Sequence, residues 1–263
     1  MTPILLLGAG RMGGALIDGW RRADVYPPSQ LLILDPTPGD AAKSAAEDGA
    51  VLDPTDAQIA TAQTVLLAVK PQLWREAAAA LAPKLSPDAV VVSIAAGVST
   101  ADLAAAFDRP VARVMPTTAV AVGHGTATLF ADDAVARERA RALFTPVGAV
   151  VEVDDEGLMH AATGASGSAP AYLYAFVEAL EAAAAEAGLP REAARRLARS
   201  TVVGAAILMA DSSADPAELR AQVTSSGGTT AAALEVLMGD GGFGDLLKRA
   251  VAAAAARSRE LGA

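Results

Sequence analysis

The sequence predicts an α/β protein in two parts: a doubly wound parallel sheet in the first half and an all-helical second half. Short continuous apolar runs alternate with helical segments up to about residue 152, and a glycine cluster follows directly on the first run. From Asp154 onward the chain is almost wholly helix formers. Strands buried on both faces read as unbroken Val/Ile/Leu runs. Helices between them act as crossovers and keep the sheet parallel.

In chain order, Ile4–Leu7 is the first apolar run, followed by the glycines and a helical segment Ala15–Arg22. Leu31–Leu34 precedes Ala41–Glu47, and Val65–Val69 precedes Trp74–Leu81. Val90–Ile94 precedes Ala101–Phe107, and Val111–Val114 is a fifth run. Thr126–Phe130 and Ala149–Val153 bracket a helical segment Ala134–Phe144. In the second half Ala169–Ala187 reads as a long helix stopped by Gly188 and Pro190, a pattern that ends helices. Arg191–Ala210 follows, then a helix opened by Pro216, then Thr229–Met238 and Phe243–Leu261. The division expected from this shift is residues 1–152 for a dinucleotide-binding domain and 153–263 for a helical domain.

Composition excludes several chemistries. The 263 residues include no Cys, so disulfides, thiolate nucleophiles and iron–sulfur clusters are out. Two His without HExxH-type spacing argue against a metal site. With 21 Lys+Arg against 30 Asp+Glu the net charge is −9, which argues against a nucleic-acid partner. No apolar run approaches the roughly 20 residues that span a bilayer, and no basic leader with an apolar region is seen. A cytoplasmic protein without a membrane partner is the expectation. Ala supplies 65 residues, and its runs Ala182–Ala185 and Ala252–Ala256 suit closely packed helices.

Gly8-Ala9-Gly10-Arg11-Met12-Gly13 sits between a strand and a helix, the context in which GxGxxG binds a dinucleotide in a Rossmann-type sheet. The first glycine allows the turn, the second lets the backbone approach a pyrophosphate, and the third lets the helix sit close to the strand. Asp35 ends the second strand, where a carboxylate accepts ribose hydroxyls and repels a 2′-phosphate, favouring NADH. Thr37 and Arg11 lean towards NADPH, and Asp35 is also a candidate cap for the turn into Pro36. Ala68-Val69-Lys70-Pro71 and Ala95-Ala96-Gly97 end later strands, where ligands of open α/β sheets bind. Lys70 faces cofactor or substrate there, or is a solvated lysine ahead of a helix-starting proline.

A second cluster, Thr224-Ser225-Ser226-Gly227-Gly228-Thr229-Thr230, opens a helix. Free N–H groups and hydroxyls in such a place suit a carboxylate, and Ser and Thr also serve there as plain caps. Thr163–Pro170 precedes the longest helix; it is either a tightly packed connection or an approach to the cofactor. His124 lies in a turn and His160 on a helix; both read as structural or solvent-facing.

These motifs, in this order, resemble the pyrroline-5-carboxylate reductase family over essentially the whole chain. They are Gly8–Gly13, Ala68-Val69-Lys70-Pro71-Gln72, Ala95-Ala96-Gly97-Val98, Thr163 through Tyr172, and Thr224–Thr230 with Gly242-Phe243 beyond. Three positions depart from the family pattern: Ser226 replaces Pro, Thr117 replaces Asn and Ala119 replaces Pro. The first implies a less rigid loop, and the second puts the usual Asn contact to the cofactor in doubt.

The resemblance implies reduction of L-Δ1-pyrroline-5-carboxylate to L-proline by NADPH or NADH. It implies Thr230 as hydrogen-bond donor to the ring nitrogen, and Ser225, Gly228 and Thr229 holding the carboxylate. It also implies a helical dimerisation domain, with a homodimer or a larger homo-oligomer built of dimers, and it gives neither His a role. The competing reading is another reductase on the same architecture, acting on a different cyclic imine or as a β-hydroxyacid dehydrogenase; the latter expects a catalytic Lys on the long helices, and Ala169–Ala210 contains none. A cofactor-sensing protein without activity has no need of the Thr224–Thr230 segment.

Overall fold

A computed structural model describes residues 3–261. The chain divides into two compact units: residues up to Ser168 together with those from Ala252 on, and Ala169–Val251 between them.

The first unit is an eight-stranded sheet. Its strands are β1 (Ile4–Leu7), β2 (Leu31–Leu34), β3 (Val51–Leu52), β4 (Thr64–Leu67), β5 (Val90–Ser93), β6 (Val111–Pro116), β7 (Gly125–Phe130) and β8 (Gly148–Glu152). The helices between them are α1 (Arg11–Ala23), α2 (Asp40–Glu47), α3 (Asp56–Ile59), α4 (Trp74–Leu81), α5 (Thr100–Phe107) and α6 (Ala134–Phe144), with α7 (Leu158–Ala162) after the last strand. The strand order is β3-β2-β1-β4-β5-β6-β7-β8, so the chain reverses its winding between β1 and β4. Every strand of the run β1, β4 and β5 is fully buried, which is why each reads as an apolar run, with polar residues only at the ends, Thr64 and Ser93.

All neighbours pair in parallel except β6 and β7, which are antiparallel. This departs from the all-parallel expectation. Only Thr117–His124 joins the two strands, too short for the dozen or more residues of a crossover, so the chain must return antiparallel. Thr117 closes that return: its N–H donates to the Thr126 carbonyl (2.9 Å) and its hydroxyl oxygen accepts the Thr126 N–H (3.0 Å). β3, two half-buried residues, was too short to show a period.

Two apolar layers cover the sheet. One centres on Trp20, Ile17 and Leu16 of α1 with Phe144 of α6. Trp20 is fully buried and its indole N–H donates to the Leu143 carbonyl (2.8 Å), which locks α1 to α6. The other layer centres on Trp74, Leu81, Leu103 and Phe107 of α4 and α5.

The compact units break the chain at Ser168, later than the change in composition near residue 153. Tertiary contacts explain this. Met159 on α7 is fully buried against Met115 and Phe130 of the sheet. Glu156 pairs with Arg113 of β6 (2.9 Å), and Gly167 lies so close to Met115 that a Cβ would stand 3.2 Å from its sulfur. Between α7 and the next helix, Thr163–Gly167 forms one π-helical turn, closed by the Ser168 N–H donating to the Thr163 carbonyl (2.8 Å). This glycine-rich segment therefore packs closely on β6, as one of its two readings expects.

The second unit holds α8 (Ala169–Glu186), α9 (Arg191–Asp211), α10 (Pro216–Gln222), α11 (Thr229–Met238) and the start of α12 (Phe243–Glu260). Among the described residues no strand follows β8. α10 is opened by a capping box in which Asp215 and Glu218 satisfy each other's backbone N–H groups. α8 and α11 bury no residue at all in the single chain. Val203, Ile207 and Leu208 on α9 are each more than half exposed. No helix among the described residues is long and apolar enough to cross a membrane.

Candidate active site

The glycine loop joins β1 to α1, beside the reversal in strand order where open α/β sheets bind ligands. Its three glycines are required for three different reasons. Gly8 has φ +95°, and a Cβ on it would stand 2.8 Å from the Ala68 carbonyl oxygen. A Cβ on Gly13 would stand 2.2 Å from the Gly8 carbonyl oxygen, so only glycine lets α1 close on the turn. Gly10, the N-cap of α1, has nothing within 4 Å of its missing Cβ and no side chain capping the helix there. Open space before uncapped N–H groups is what a pyrophosphate needs. The residues therefore fit a dinucleotide.

The loops expected around the cofactor do come together. Ala68 donates its N–H to the Leu7 carbonyl (2.8 Å), and Ile94 donates to that of Leu67 (3.0 Å). This lines up Gly8–Gly13, Ala68–Pro71 and Ala95–Gly97 along one edge of the sheet. Gly97 adopts φ +83°, and Ala95 and Gly97 are buried. Lys70 is exposed at the end of its strand.

Asp35 does something more specific than its strand position indicates. Its Oδ2 accepts the Ala9 N–H (2.5 Å) and its Oδ1 the Thr37 N–H (2.8 Å). The carboxylate therefore ties the glycine loop to the β2–α2 loop, and the turn-capping reading of Asp35 is realised. One lone pair on each oxygen is left for a ribose hydroxyl. Beside it lies a cavity of about 590 Å³ lined by Gly10, Arg11, Asp18, Thr37, Asp40 and Thr118 among others. Arg11 is exposed there, with Asp18 and Asp40 on the same wall.

In the second unit the Ser225 carbonyl accepts the Gly228 N–H (3.0 Å), closing a turn with Gly227 at φ +68°. A positive φ at the third turn position is the type II pattern, whose second position favours Pro. Ser226 holds that position. No side chain caps α11, whose N-cap is Gly228. Ser225 and Thr229 are exposed and Thr230 is half-buried. The two grooves along α8 and α9, lined by Glu178, Glu181, Arg195 and Arg199 among others, include none of these residues.

His124 is exposed in its turn. The Nδ1 of His160 lies 3.0 Å from the Ser258 hydroxyl on α12. Burial lowers the pKa of His160, the Arg113 and Arg259 charges lower it further, and Glu156 opposes them. The cluster next to it leaves no signal in the local sequence. Arg113, 1% exposed, and Glu156 lie 43 residues apart, and no local pattern pairs them.

Residues 156–261 match the family model for pyrroline-5-carboxylate reductase dimerisation. Residues 3–97 match that described as NADP oxidoreductase, coenzyme F420-dependent. The chain is 40% identical to a pyrroline-5-carboxylate reductase of Pseudomonas aeruginosa, across 99% of the chain and 97% of that protein. The chain belongs to the pyrroline-5-carboxylate reductase family. The Pisum sativum reductase is 39% identical, with 97% and 94% covered. Among solved structures, the Coxiella burnetii pyrroline-5-carboxylate reductase superposes with a TM-score of 0.90 at 31% identity, over 100% of this chain and 99% of that one. The Plasmodium falciparum pyrroline carboxylate reductase, determined with NADP bound, gives a TM-score of 0.86 at 25% identity, over 100% and 98%. The family's dimerisation model covers the helices whose apolar faces lie bare in the single chain, and the protein is a homo-oligomer.

Proposed function

We propose that the chain reduces L-Δ1-pyrroline-5-carboxylate to L-proline with NADPH or NADH, the last step of proline biosynthesis. The observation that carries this reading is a glycine loop shaped at all three glycines for a pyrophosphate, within a chain that matches this reductase family over 99% of its residues.

The reduced nicotinamide supplies the hydride when bound, so the protein's task is to hold, orient and protonate. Gly8, Gly10, Arg11, Met12 and Gly13 hold the pyrophosphate at the start of α1, and Asp35 meets the adenosine ribose. Ala68, Val69, Lys70 and Pro71, with Ala95, Ala96 and Gly97, line the rest of the cofactor site. Ser225 and the Thr229 N–H hold the substrate carboxylate at the uncapped start of α11, and Gly228, expected to offer its N–H as well, instead gives it to the Ser225 carbonyl and closes the turn that presents them. The Thr230 hydroxyl donates to the neutral ring nitrogen or relays a proton to it, because a protonated imine accepts hydride more readily than a neutral one. A hydroxyl suffices for this role, in keeping with a chain that has no Cys.

The reading includes a homodimer, or a larger ring of dimers, formed through the C-terminal helices, and a cytoplasmic location. The β-hydroxyacid alternative lacks its lysine on α8 and α9. The deciding assay mixes the purified protein with pyrroline-5-carboxylate and NADPH or NADH and follows loss of absorbance of the reduced cofactor. Turnover with either cofactor is expected; no consumption with both overturns the reading.

A further inference from the structure

Arg113 is in the middle of β6, 1% exposed, and only one of its three guanidinium nitrogens has a partner. Nη1 donates to Glu156 Oε1 (2.9 Å), while Nε and Nη2 are buried without one. An ion pair buried on its arginine side, with Glu156 24% exposed and the guanidinium left half-satisfied, is a poor source of stability, since desolvation offsets much of its attraction. Its geometry shows a different use.

Glu156 turns both oxygens to the first residue of α5. Oε1 accepts the Thr100 N–H (2.9 Å) and Oε2 accepts the Thr100 hydroxyl (2.7 Å). The helix does not need this carboxylate as a cap, because the Ser99 hydroxyl already accepts the Asp102 N–H (3.1 Å). What the carboxylate fixes is the far end of the loop Ala95–Ser99. The near end is fixed by Ser93, which is fully buried, stands opposite Arg113 in the β5–β6 register, and accepts the Ala95 N–H on its hydroxyl (3.2 Å). Between the two anchors lies Ala95-Ala96-Gly97, with Gly97 in the left-handed region.

We propose that Arg113 and Glu156 are positioning residues that hold the Ala95–Gly97 loop in the shape the cofactor requires, acting through Thr100. The link to the cofactor rests on the function proposed above; the ordering of the loop does not.

The test pairs a double variant with a mild single one. Arg113→Met/Glu156→Leu removes both charges together, a replacement that in other buried pairs is neutral or stabilising, so its Tm should hold or rise. Thr100→Val removes one hydrogen bond and keeps the shape, and it serves if the double variant does not fold. Thr100→Ser keeps the hydroxyl and should behave as the parent.

In the cofactor-free protein, amide exchange over residues 95–100 should quicken about tenfold in the double variant and less in Thr100→Val. The Kd for NADPH, by fluorescence titration, should rise in the same order, with a larger change in KM for the cofactor than in kcat. Exchange at 95–100 unchanged in folded variants overturns the proposal. If exchange quickens while the parent binds neither NADPH nor NADH, the loop assignment stands and the proposed function fails.

Discussion

Replacing Gly10 with Ala separates binding from folding at the glycine loop. Gly10 has φ −69° and ψ −151°, extended backbone that an L-residue adopts, and no atom lies within 4 Å of the added methyl. The fold should therefore accept Ala. Where native geometry is compatible, loss of glycine's freedom in the unfolded chain stabilises by about 0.4–1 kcal/mol. For a chain of this size that is a Tm unchanged or raised by up to about 4 °C.

The methyl instead occupies the space through which a pyrophosphate reaches the first N–H groups of α1. A loss of at least about tenfold in affinity, roughly 1.4 kcal/mol, should follow for NADPH and NADH alike. Gly13→Ala is the contrast. Its Cβ would fall 2.2 Å from a backbone oxygen, about 1 Å short of ordinary contact, so it should destabilise by the roughly 1–3 kcal/mol of an overpacked site as well as weaken binding. Thermal melts and fluorescence titrations of the two variants decide the matter. A Gly10→Ala protein with the parent's Tm and the parent's Kd for both cofactors would refute the reasoning.

Thr230→Ala should lower kcat about 10²-fold, the low end for a positioned proton-transfer group; steady-state kinetics giving a near-normal kcat would remove Thr230 from that role. Asp35→Ser should weaken both cofactors, because the Ala9 and Thr37 N–H groups lose their acceptor, and should shift the NADPH-to-NADH ratio of kcat/KM upward. Weakening with the ratio unchanged would leave Asp35 as a loop clamp alone. Ser226→Pro should raise stability by about 0.4–1 kcal/mol in denaturant titrations, since proline presets the second position of a type II turn; a lower midpoint would show that the turn is of another type.

His160 should make stability pH-dependent on the acid side. Its folded pKa lies below the ordinary 6.5 because of burial and then the Arg113 and Arg259 charges, against Glu156. Above pH 6.5 both folded and unfolded chains carry it neutral. As pH falls through 6.5 the unfolded chain binds a proton that the folded chain resists, so stability drops and levels off below the folded pKa. A His160→Gln variant should lose that part of the slope in melts between pH 7 and 5; parallel profiles would exclude His160 as its source.

Much of this protein is determined by the sequence alone, because its signals are local. A parallel strand buried on both faces is apolar along most of its length, so β1, β2, β4 and β5 announce themselves within a residue or two. A helix must be punctuated, so Gly188 and Pro190 mark the break between α8 and α9. The glycine loop was legible because each glycine answers a constraint within a few residues or at the adjoining strand. β3 escaped for want of length, and β7, read as the run Thr126–Phe130, escaped only in its antiparallel direction, because apolar runs carry no direction.

Tertiary structure decided whatever depends on contacts between distant positions. Composition changes near residue 153, yet Met159, Glu156 and Ser258 bind the segments around them to the sheet unit, and that packing sets the boundary at Ser168. Asp35 stands where a ribose ligand is expected, but only the fold brings the Ala9 N–H, 26 residues away, onto its carboxylate. Arg113 and Glu156 look like ordinary charges until the sheet encloses them, because desolvation and pairing are properties of the folded surroundings rather than of the residues themselves.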